Sequence, residues 1–98
     1  MSLILKTIGM KTEVLHENNR FVKTVDGLEC ELEYLIPEKG FINFFHTYVP
    51  EELRGQGLAM EIIKEGLDFA VNNKFKIIPS CSAVRIFIQR HPEYQQYV

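Results

Sequence analysis

The sequence contains no tryptophan, only two cysteines and no apolar run long enough to cross a bilayer. Cys30 and Cys81 lie far apart, whereas small secreted domains held together by disulfides usually carry more cysteines. The short apolar patch Leu3–Leu5 is not followed by a cleavage-site pattern. These absences predict a reduced, cytoplasmic, soluble protein that has no membrane partner.

A basic excess is also absent, since 11 lysines and arginines stand against 13 aspartates and glutamates, for a net charge of −2. Binding to nucleic-acid phosphates usually needs a basic face, so this balance argues against a nucleic-acid partner. The length of 98 residues and the hydrophobic fraction of 46% are typical of one folded domain. We expect a single domain over 1–98, in which residues 1–9 are either a native extension or a cloning remnant.

Three strands are expected in the first third of the chain. Strand patterns at 12–17 and 20–25 flank Asn18-Asn19, a two-residue turn that tolerates positive φ, and Asp26-Gly27 is a second such turn. Over 28–36, apolar residues alternate with three glutamates, at positions 29, 31 and 33. This period of two predicts a strand with one solvent-exposed face.

Residues 41–49 are apolar on both faces, which predicts a central strand that is covered on both sides. The apolar positions of 57–72 recur with the period of an amphipathic helix. Gly66 lies in the middle of that apolar face, where it lowers helix propensity but allows the helix to approach the sheet closely.

A short strand at 75–79 and a second helix at 82–90, with Ser82 as its N-cap, complete the pattern. Strand, helix and strand form a βαβ unit with a right-handed crossover, so strands 41–49 and 75–79 should be parallel. The predicted fold class is therefore α+β, with an antiparallel β-meander followed by a βαβ unit and a short C-terminal helix.

The segment Arg54-Gly55-Gln56-Gly57-Leu58-Ala59 opens the long helix directly after a strand. Free backbone N–H groups and the helix dipole make such a helix start a site for anions, and glycine leaves room for a phosphate. Arg54 adds a cationic donor. The segment is neither a Walker A loop nor a dinucleotide fingerprint, because the residues those motifs need are missing. The alternative is a helix start that merely turns tightly.

This segment resembles the acetyl-CoA pyrophosphate loop of the GNAT superfamily of N-acetyltransferases. The chain is similar to the minimal single-domain members of about one hundred residues, which carry one residue pair before the loop and another after the next strand. Here these pairs are His46-Thr47 and Ser80-Cys81, with Ser82 following. The resemblance spans residues 12–97 and implies a GNAT-like fold with acetyl-CoA as acyl donor.

The resemblance also implies where the cofactor lies. The pyrophosphate would rest on Arg54, Gly55, Gln56, Gly57, Leu58 and Ala59. The pantetheine arm would enter between the splayed ends of the two parallel strands and pair with the backbone of Tyr48 and Val49, with Ser80 across the gap. Full-size members insert helices that wall the acceptor site, and these are missing here. The acceptor site should be shallow, or completed by a partner or a second copy.

His46 and Cys81 are the candidate catalytic residues. His46 would be the base, and Cys81 would be the nucleophile or the acid, helped by its place at a helix start, which favours the thiolate. On the period of two, His46 shares a face with Ile42, Phe44 and Tyr48. The alternatives are a core histidine whose two nitrogens are satisfied, and a small buried cysteine. No metal-ligand spacing is present, so no metal is predicted.

The leading hypothesis is an acetyl-CoA-dependent N-acetyltransferase that acts on a small-molecule or protein amine. The alternatives are a module that binds CoA or an acyl-CoA without turnover, and a protein-interaction domain that binds neither. Glu29, Glu31 and Glu33 are either a solvated strand face or a surface that attracts a basic acceptor.

Overall fold

The structure, a computed structural model, describes residues 13–98. Five strands form one sheet in chain order: β1 (Leu15–Glu17), β2 (Arg20–Val25), β3 (Leu28–Leu35), β4 (Phe41–Tyr48) and β5 (Lys76–Pro79). Neighbours are antiparallel from β1 to β4, and β4 and β5 are parallel. The predicted meander and βαβ unit are confirmed. Residue 12, the predicted start of the first strand, and the segment 1–9 lie outside the described residues.

The helical elements follow β4 in the chain. Helix α1 (Leu58–Asn72) connects β4 to β5, and helix α2 (Ser82–Arg90) follows β5. Short 3-10 segments precede α1 (Glu51–Leu53) and form the tail (Pro92–Tyr97). The sequence predicted Ser82 as the N-cap of α2, and this is wrong. The N-cap is Cys81, because its carbonyl already accepts from the N–H groups of Val84 and Arg85.

Two tight turns set the register of the first three strands. Asn18 and Asn19 have φ of 45° and 63°, and Asp26 and Gly27 have φ of 51° and 78°. Positive φ at both central residues gives the turn a twist that matches the twist of the flanking strands. The resulting pairs run from Arg20↔Glu33 to Val25↔Leu28 without interruption. Local backbone chemistry therefore explains this half of the sheet.

One face of the sheet carries the core, and both helices pack on it. The buried cluster includes Leu32 of β3, Phe44 of β4 and Ile77 of β5, together with Ile62 of α1 and Val84 of α2. The glutamates of β3 point to the other face, where Arg20 binds the carboxylates of Glu17, Glu29 and Glu31. Among residues 13–98, no helix belongs to that second face.

A β-bulge changes the second half of β4. Glu33 pairs with His46, but the next residue of β3, Tyr34, pairs with Phe44, so Phe45 is an extra residue in β4. An extra residue reverses the facing of every side chain beyond it. His46 therefore lies on the glutamate face, and its predicted place on the face of Ile42 and Phe44 is wrong.

The prediction that β4 is covered on both sides also fails in this half of the strand. Phe45 is 42% exposed and Tyr48 is 45% exposed. Beyond the bulge it is Thr47, paired with Leu32, that faces the core side.

Gly66 of α1 is buried against the sheet. A Cβ placed on it would lie 2.6 Å from Cδ2 of Leu32 and 3.1 Å from Cε1 of Phe44. Both of these side chains are fully buried and have little room to move. The predicted close approach of the helix to the sheet is confirmed.

We predict that Gly66→Ala lowers the free energy of unfolding by about 1 kcal/mol. Overpacking a core costs about 1–3 kcal/mol, and the gain in helix propensity on replacing glycine offsets only about 1 kcal/mol of it. Urea unfolding followed by circular dichroism measures the change, with the exposed neighbour Glu65→Ala as the control. Equal or higher stability of Gly66→Ala would show that the helix does not depend on this approach.

Candidate cofactor and catalytic site

The candidate site begins where β4 and β5 stop pairing. Their last paired residues are Phe44 and Pro79, and one further bond runs from the N–H of Cys81 to the carbonyl of Phe44 at 3.0 Å. Strand β4 continues to Tyr48, whereas β5 has ended. Within residues 13–98, positions 45–48 therefore have no β5 partner, and this unpaired edge lies between the starts of α1 and α2. Ligands of α/β units bind at such carboxyl ends.

Cys81 lies on the core side of this edge. Its Sγ is 3.2 Å from Oγ1 of Thr47, which the bulge has turned toward it. Partial burial of the thiol raises its pKa, but hydrogen bonds from the Thr47 side chain and from the backbone of Val84 and Ala83 outweigh burial, so the pKa of Cys81 lies below its ordinary value. Hydrogen bonds to the charged form favour it. This thiol therefore ionises more readily than an ordinary cysteine.

Arg85 holds the segment that precedes Cys81. Its Nη1 donates to the carbonyls of Pro79 at 3.0 Å and Ser80 at 2.8 Å. These carbonyls lie at the end of β5, at its last paired residue and at the residue that follows it. Arg85 thus fixes the strand end against the first turn of α2, and with it the position of Cys81. Ser80 itself is exposed beside the gap.

His46 lies on the opposite face of β4 from Thr47 and Cys81. It is exposed. One of its ring nitrogens and one carboxylate oxygen from each of Glu31 and Glu33 lie within 4.8 Å of one another. Glu31 already accepts from Arg20 at 2.7 Å. Residue spacing had not revealed this grouping, because it joins two strands. The absence of a metal site stays a prediction.

The two candidate catalytic side chains therefore flank one strand edge and do not touch. His46 approaches the gap from the glutamate face, and Cys81 approaches it from the helix face. A reacting group held at the end of β4 would have an imidazole on one side and a thiol on the other.

The glycine loop forms an open cradle at the start of α1. Gly55 and Gly57 have φ of 88° and 79°, a conformation that favours glycine, and a Cβ at either position would meet no atom within 4 Å. Gly57 is at the N-cap position of α1, and because it has no side chain it cannot accept a hydrogen bond from the first N–H groups of the helix. The first N–H groups of α1 therefore have no side-chain partner at the cap, which suits a bound anion.

Arg54 and Gln56 border the cradle. Nε of Arg54 donates to the carbonyl of Val49 at 2.8 Å, which closes the loop on itself. Val49 and Arg54 also line a cavity of about 120 Å³ together with both glycines, Leu58 and Ala59. Leu58 is buried and anchors the first turn, whereas Gln56 is exposed. All of the predicted loop residues except Gln56 therefore line one space at the start of α1, where backbone N–H groups suit an anion.

Comparison with known proteins finds relatives of this chain. Residues 20–97 match the family model of the GCN5-related N-acetyl-transferases. "Protein NATD1" of Gallus gallus is 30% identical over 88 residues, which cover 86% of this chain and 80% of the relative. "Protein NATD1" of Danio rerio is 31% identical over 97 residues, which cover 93% of this chain and 88% of the relative.

A solved structure shows the same fold. The NMR solution structure of a GCN5-like putative N-acetyltransferase from Staphylococcus aureus matches with a TM-score of 0.71 and 31% sequence identity, over 88% of this chain and 86% of that one. This chain belongs to the GCN5-related N-acetyltransferase family, and the resemblance inferred from the loop and the two residue pairs is confirmed. None of the helices in residues 13–98 is long and apolar enough to span a membrane.

Two contacts at the candidate site are not predictable from the sequence. Thr47 stands in the sequence only as the neighbour of His46, and its bond to Cys81 depends on the bulge. Arg85 has no motif that marks it. The adjacent Phe44 and Phe45 were the available signal, because two consecutive aromatic residues break the alternation of a strand with one buried face.

We predict that Thr47→Val raises the pKa of Cys81, because it removes a hydrogen bond that favours the thiolate and changes the side-chain shape little. The rate of iodoacetamide alkylation should fall at pH 7, and the midpoint of its pH profile should move upward. Cys81→Ser assigns the reaction, since Cys30 is buried and burial raises the pKa of its thiol. An unchanged midpoint would contradict the role of Thr47.

Proposed function

We propose that this protein is an acetyl-CoA-dependent N-acetyltransferase that transfers acetyl to an amine. The observation that carries the proposal is the open cradle of Gly55 and Gly57 at a helix start without a side-chain cap, beside a strand edge that has no β5 partner and carries His46 and Thr47. Membership of the GCN5-related family supports it. The cradle offers N–H donors for a pyrophosphate, and the edge offers backbone groups for a pantetheine arm.

The residues present fit this cofactor. Backbone N–H groups from Gly55 to Ala59 and the amino groups of Arg54 would hold the pyrophosphate. Since the carbonyl of Val49 accepts from Arg54, pairing with the pantetheine arm would rest on Tyr48 and on the N–H of Val49. Ser80 would border the arm from the other side of the gap. Bound acetyl-CoA would supply an activated thioester, and His46 and Cys81 are the side chains that flank the strand edge where its arm would pair.

His46 accepts the proton that the acceptor amine loses as its nitrogen attacks the acyl carbonyl. Cys81, which Thr47 holds in place, donates a proton to the departing thiolate sulfur. The lowered pKa of Cys81 suits it to this role as an acid. Solvent then returns a proton to Cys81 and takes one from His46, so the groups are restored for the next cycle. The placement of the two residues on opposite faces separates the entry of the amine from the exit of the thiol.

The acceptor would approach from the glutamate face, because His46 lies there. Glu31 and Glu33 beside His46 favour an amine that arrives with a positive charge. Such an amine loses one proton to solvent before its nitrogen attacks, and His46 accepts the second. The exposed side chains Phe45 and Tyr48 on this half of β4 would be covered by the acceptor or by a partner that completes the site.

Calorimetric titration of acetyl-CoA tests the cofactor site. Gln56→Glu adds one negative charge at the cradle without changing its size, and we expect it to weaken binding roughly tenfold, about 1.4 kcal/mol for a charge close to a phosphate. Gln95→Glu, an identical change in the tail, should leave binding unaltered. Gly57→Glu is a poorer test, since φ of 79° would strain any side chain there. Equal binding by Gln56→Glu and Gln95→Glu would refute the assignment of the loop.

Thiol release from acetyl-CoA with a panel of amines tests catalysis. We expect His46→Gln to bind acetyl-CoA like the wild type but to turn over about 100-fold or more slowly, the usual contribution of a general base. Wild-type turnover in His46→Gln would rule out its role as base. Tight binding with no turnover for any amine would instead favour a module that only binds CoA.

Rapid quench and mass measurement test the role of Cys81. Direct transfer predicts no acetyl adduct on the Cys81 peptide when protein and acetyl-CoA are mixed without an amine. An adduct that is present in Cys30→Ser and missing in Cys81→Ser would replace direct transfer with a covalent route through this thiol.

A further inference from the structure

One carboxylate on the glutamate face has no cation of its own. Arg20 donates to three neighbouring carboxylates, those of Glu31 at 2.7 Å, Glu17 at 3.1 Å and Glu29 at 3.3 Å. Glu33 is the cross-strand partner of Arg20, but the guanidinium extends to the other carboxylates instead. The side chain of Glu33 has no ion pair or hydrogen bond to any residue in 13–98. Its charge is therefore available to a cation from outside.

This free carboxylate stands beside the proposed base. Glu33 and His46 are paired across β3 and β4, and a carboxylate oxygen of Glu33 lies within 4.8 Å of a ring nitrogen of His46. Neither side chain is hydrogen-bonded to the other or to any further residue in the described part of the chain. His46 is exposed and Glu33 is half-buried. A ligand from solvent can therefore reach both groups at once.

An aromatic ring extends this space along β4. Tyr48 lies two residues after His46, on the same face beyond the bulge, and is 45% exposed. It is diagonal to Glu33 across the ladder, and diagonal neighbours on a sheet face are about 7–8 Å apart. An exposed aromatic ring attracts both a hydrocarbon chain and an ammonium group. The space therefore offers a base for one nitrogen, an anion for a second nitrogen and an apolar surface for the carbons that join them.

The spacing of the two polar groups fits a short diamine. A nitrogen that gives its proton to His46 must lie about 3 Å from the ring, and an ammonium bound to Glu33 lies about 3 Å from the carboxylate. With the 4.8 Å limit between the two side chains, the nitrogens of such a ligand are at most about 11 Å apart. A diamine with a short aliphatic chain contacts both groups within that limit.

We propose that the acceptor is an aliphatic diamine or polyamine and that Glu33 binds the ammonium that does not react. The reacting nitrogen loses one proton to solvent and forms a bond to the acyl carbon. His46 takes its second proton as the C–S bond breaks, and the departing sulfur takes the proton of Cys81. The other ammonium keeps its charge throughout. This inference rests on the proposed acetyl transfer, but it names an acceptor class and a specificity-determining residue that the transfer alone does not require.

Steady-state thiol release with two acceptors of equal size tests the assignment. In n-pentylamine, a methyl group replaces the second ammonium of 1,4-diaminobutane. The wild type should have a kcat/KM about tenfold or more higher for the diamine, mainly through KM, as a charge-assisted hydrogen bond would give. Glu33→Gln should use both acceptors alike, and any effect of the change on His46 cancels in this ratio. Glu29→Gln removes the same charge from the same face of β3 and should keep the preference.

NMR of the His46 ring, in protein without acetyl-CoA, measures diamine binding separately from turnover. 1,4-Diaminobutane should shift the ring resonances saturably in the wild type and in Glu29→Gln, but not in Glu33→Gln. Where the amines turn over, equal kcat/KM of the wild type for both acceptors, or a preference that survives in Glu33→Gln, would overturn the inference and leave the proposed function standing. Where no amine turns over, diamine binding that needs Glu33 would support this site and count against acetyl transfer. Absence of both binding and turnover would overturn the two together.

Discussion

One extra residue in β4 organises the candidate site. Phe45 has no partner in β3, so the side chains that face the core are at even-numbered positions of β4 before it and at odd-numbered positions after it. Phe44 faces the core before the bulge, and Thr47 faces it afterwards. Without that residue, His46 would point toward the helices and Thr47 toward the glutamates. The bond between Thr47 and Cys81, and the grouping of His46 with Glu31 and Glu33, both depend on this single shift in register.

The second constraint is the point at which the parallel strands stop pairing. The bond from the N–H of Cys81 to the carbonyl of Phe44 closes the parallel ladder, and β4 then continues without β5, paired only with β3. Each helix start brings backbone N–H groups to the same edge. At α2 these groups favour the thiolate of Cys81, and at α1 they line an open glycine cradle. The same backbone property therefore serves both the proposed chemistry and the proposed cofactor site.

Packing of both helices on one face gives the sheet two different surfaces. The close approach at Gly66 brings α1 onto the core face, where Leu32 and Phe44 meet it. The other face keeps its glutamates and, beyond the bulge, exposed aromatic residues. In the proposed acetyl transfer, this division would leave the helix face for the cofactor and the glutamate face for the acceptor.

Features that depend on neighbouring residues were predictable from the sequence. The Asn-Asn and Asp-Gly turns, the bounds of β2, the span of α1 and the place of Gly66 follow from backbone conformation and from the period of apolar residues, which are local properties. The glycine loop was recognisable for the same reason, because its proposed role is to bind an anion through backbone N–H groups, which are a local feature of the chain. The facing of His46, the cap at Cys81 and the contacts of Thr47 and Arg85 were decided only by the tertiary structure. Each depends on how one strand is aligned with another, and strand register is a property of the folded sheet that no single segment contains.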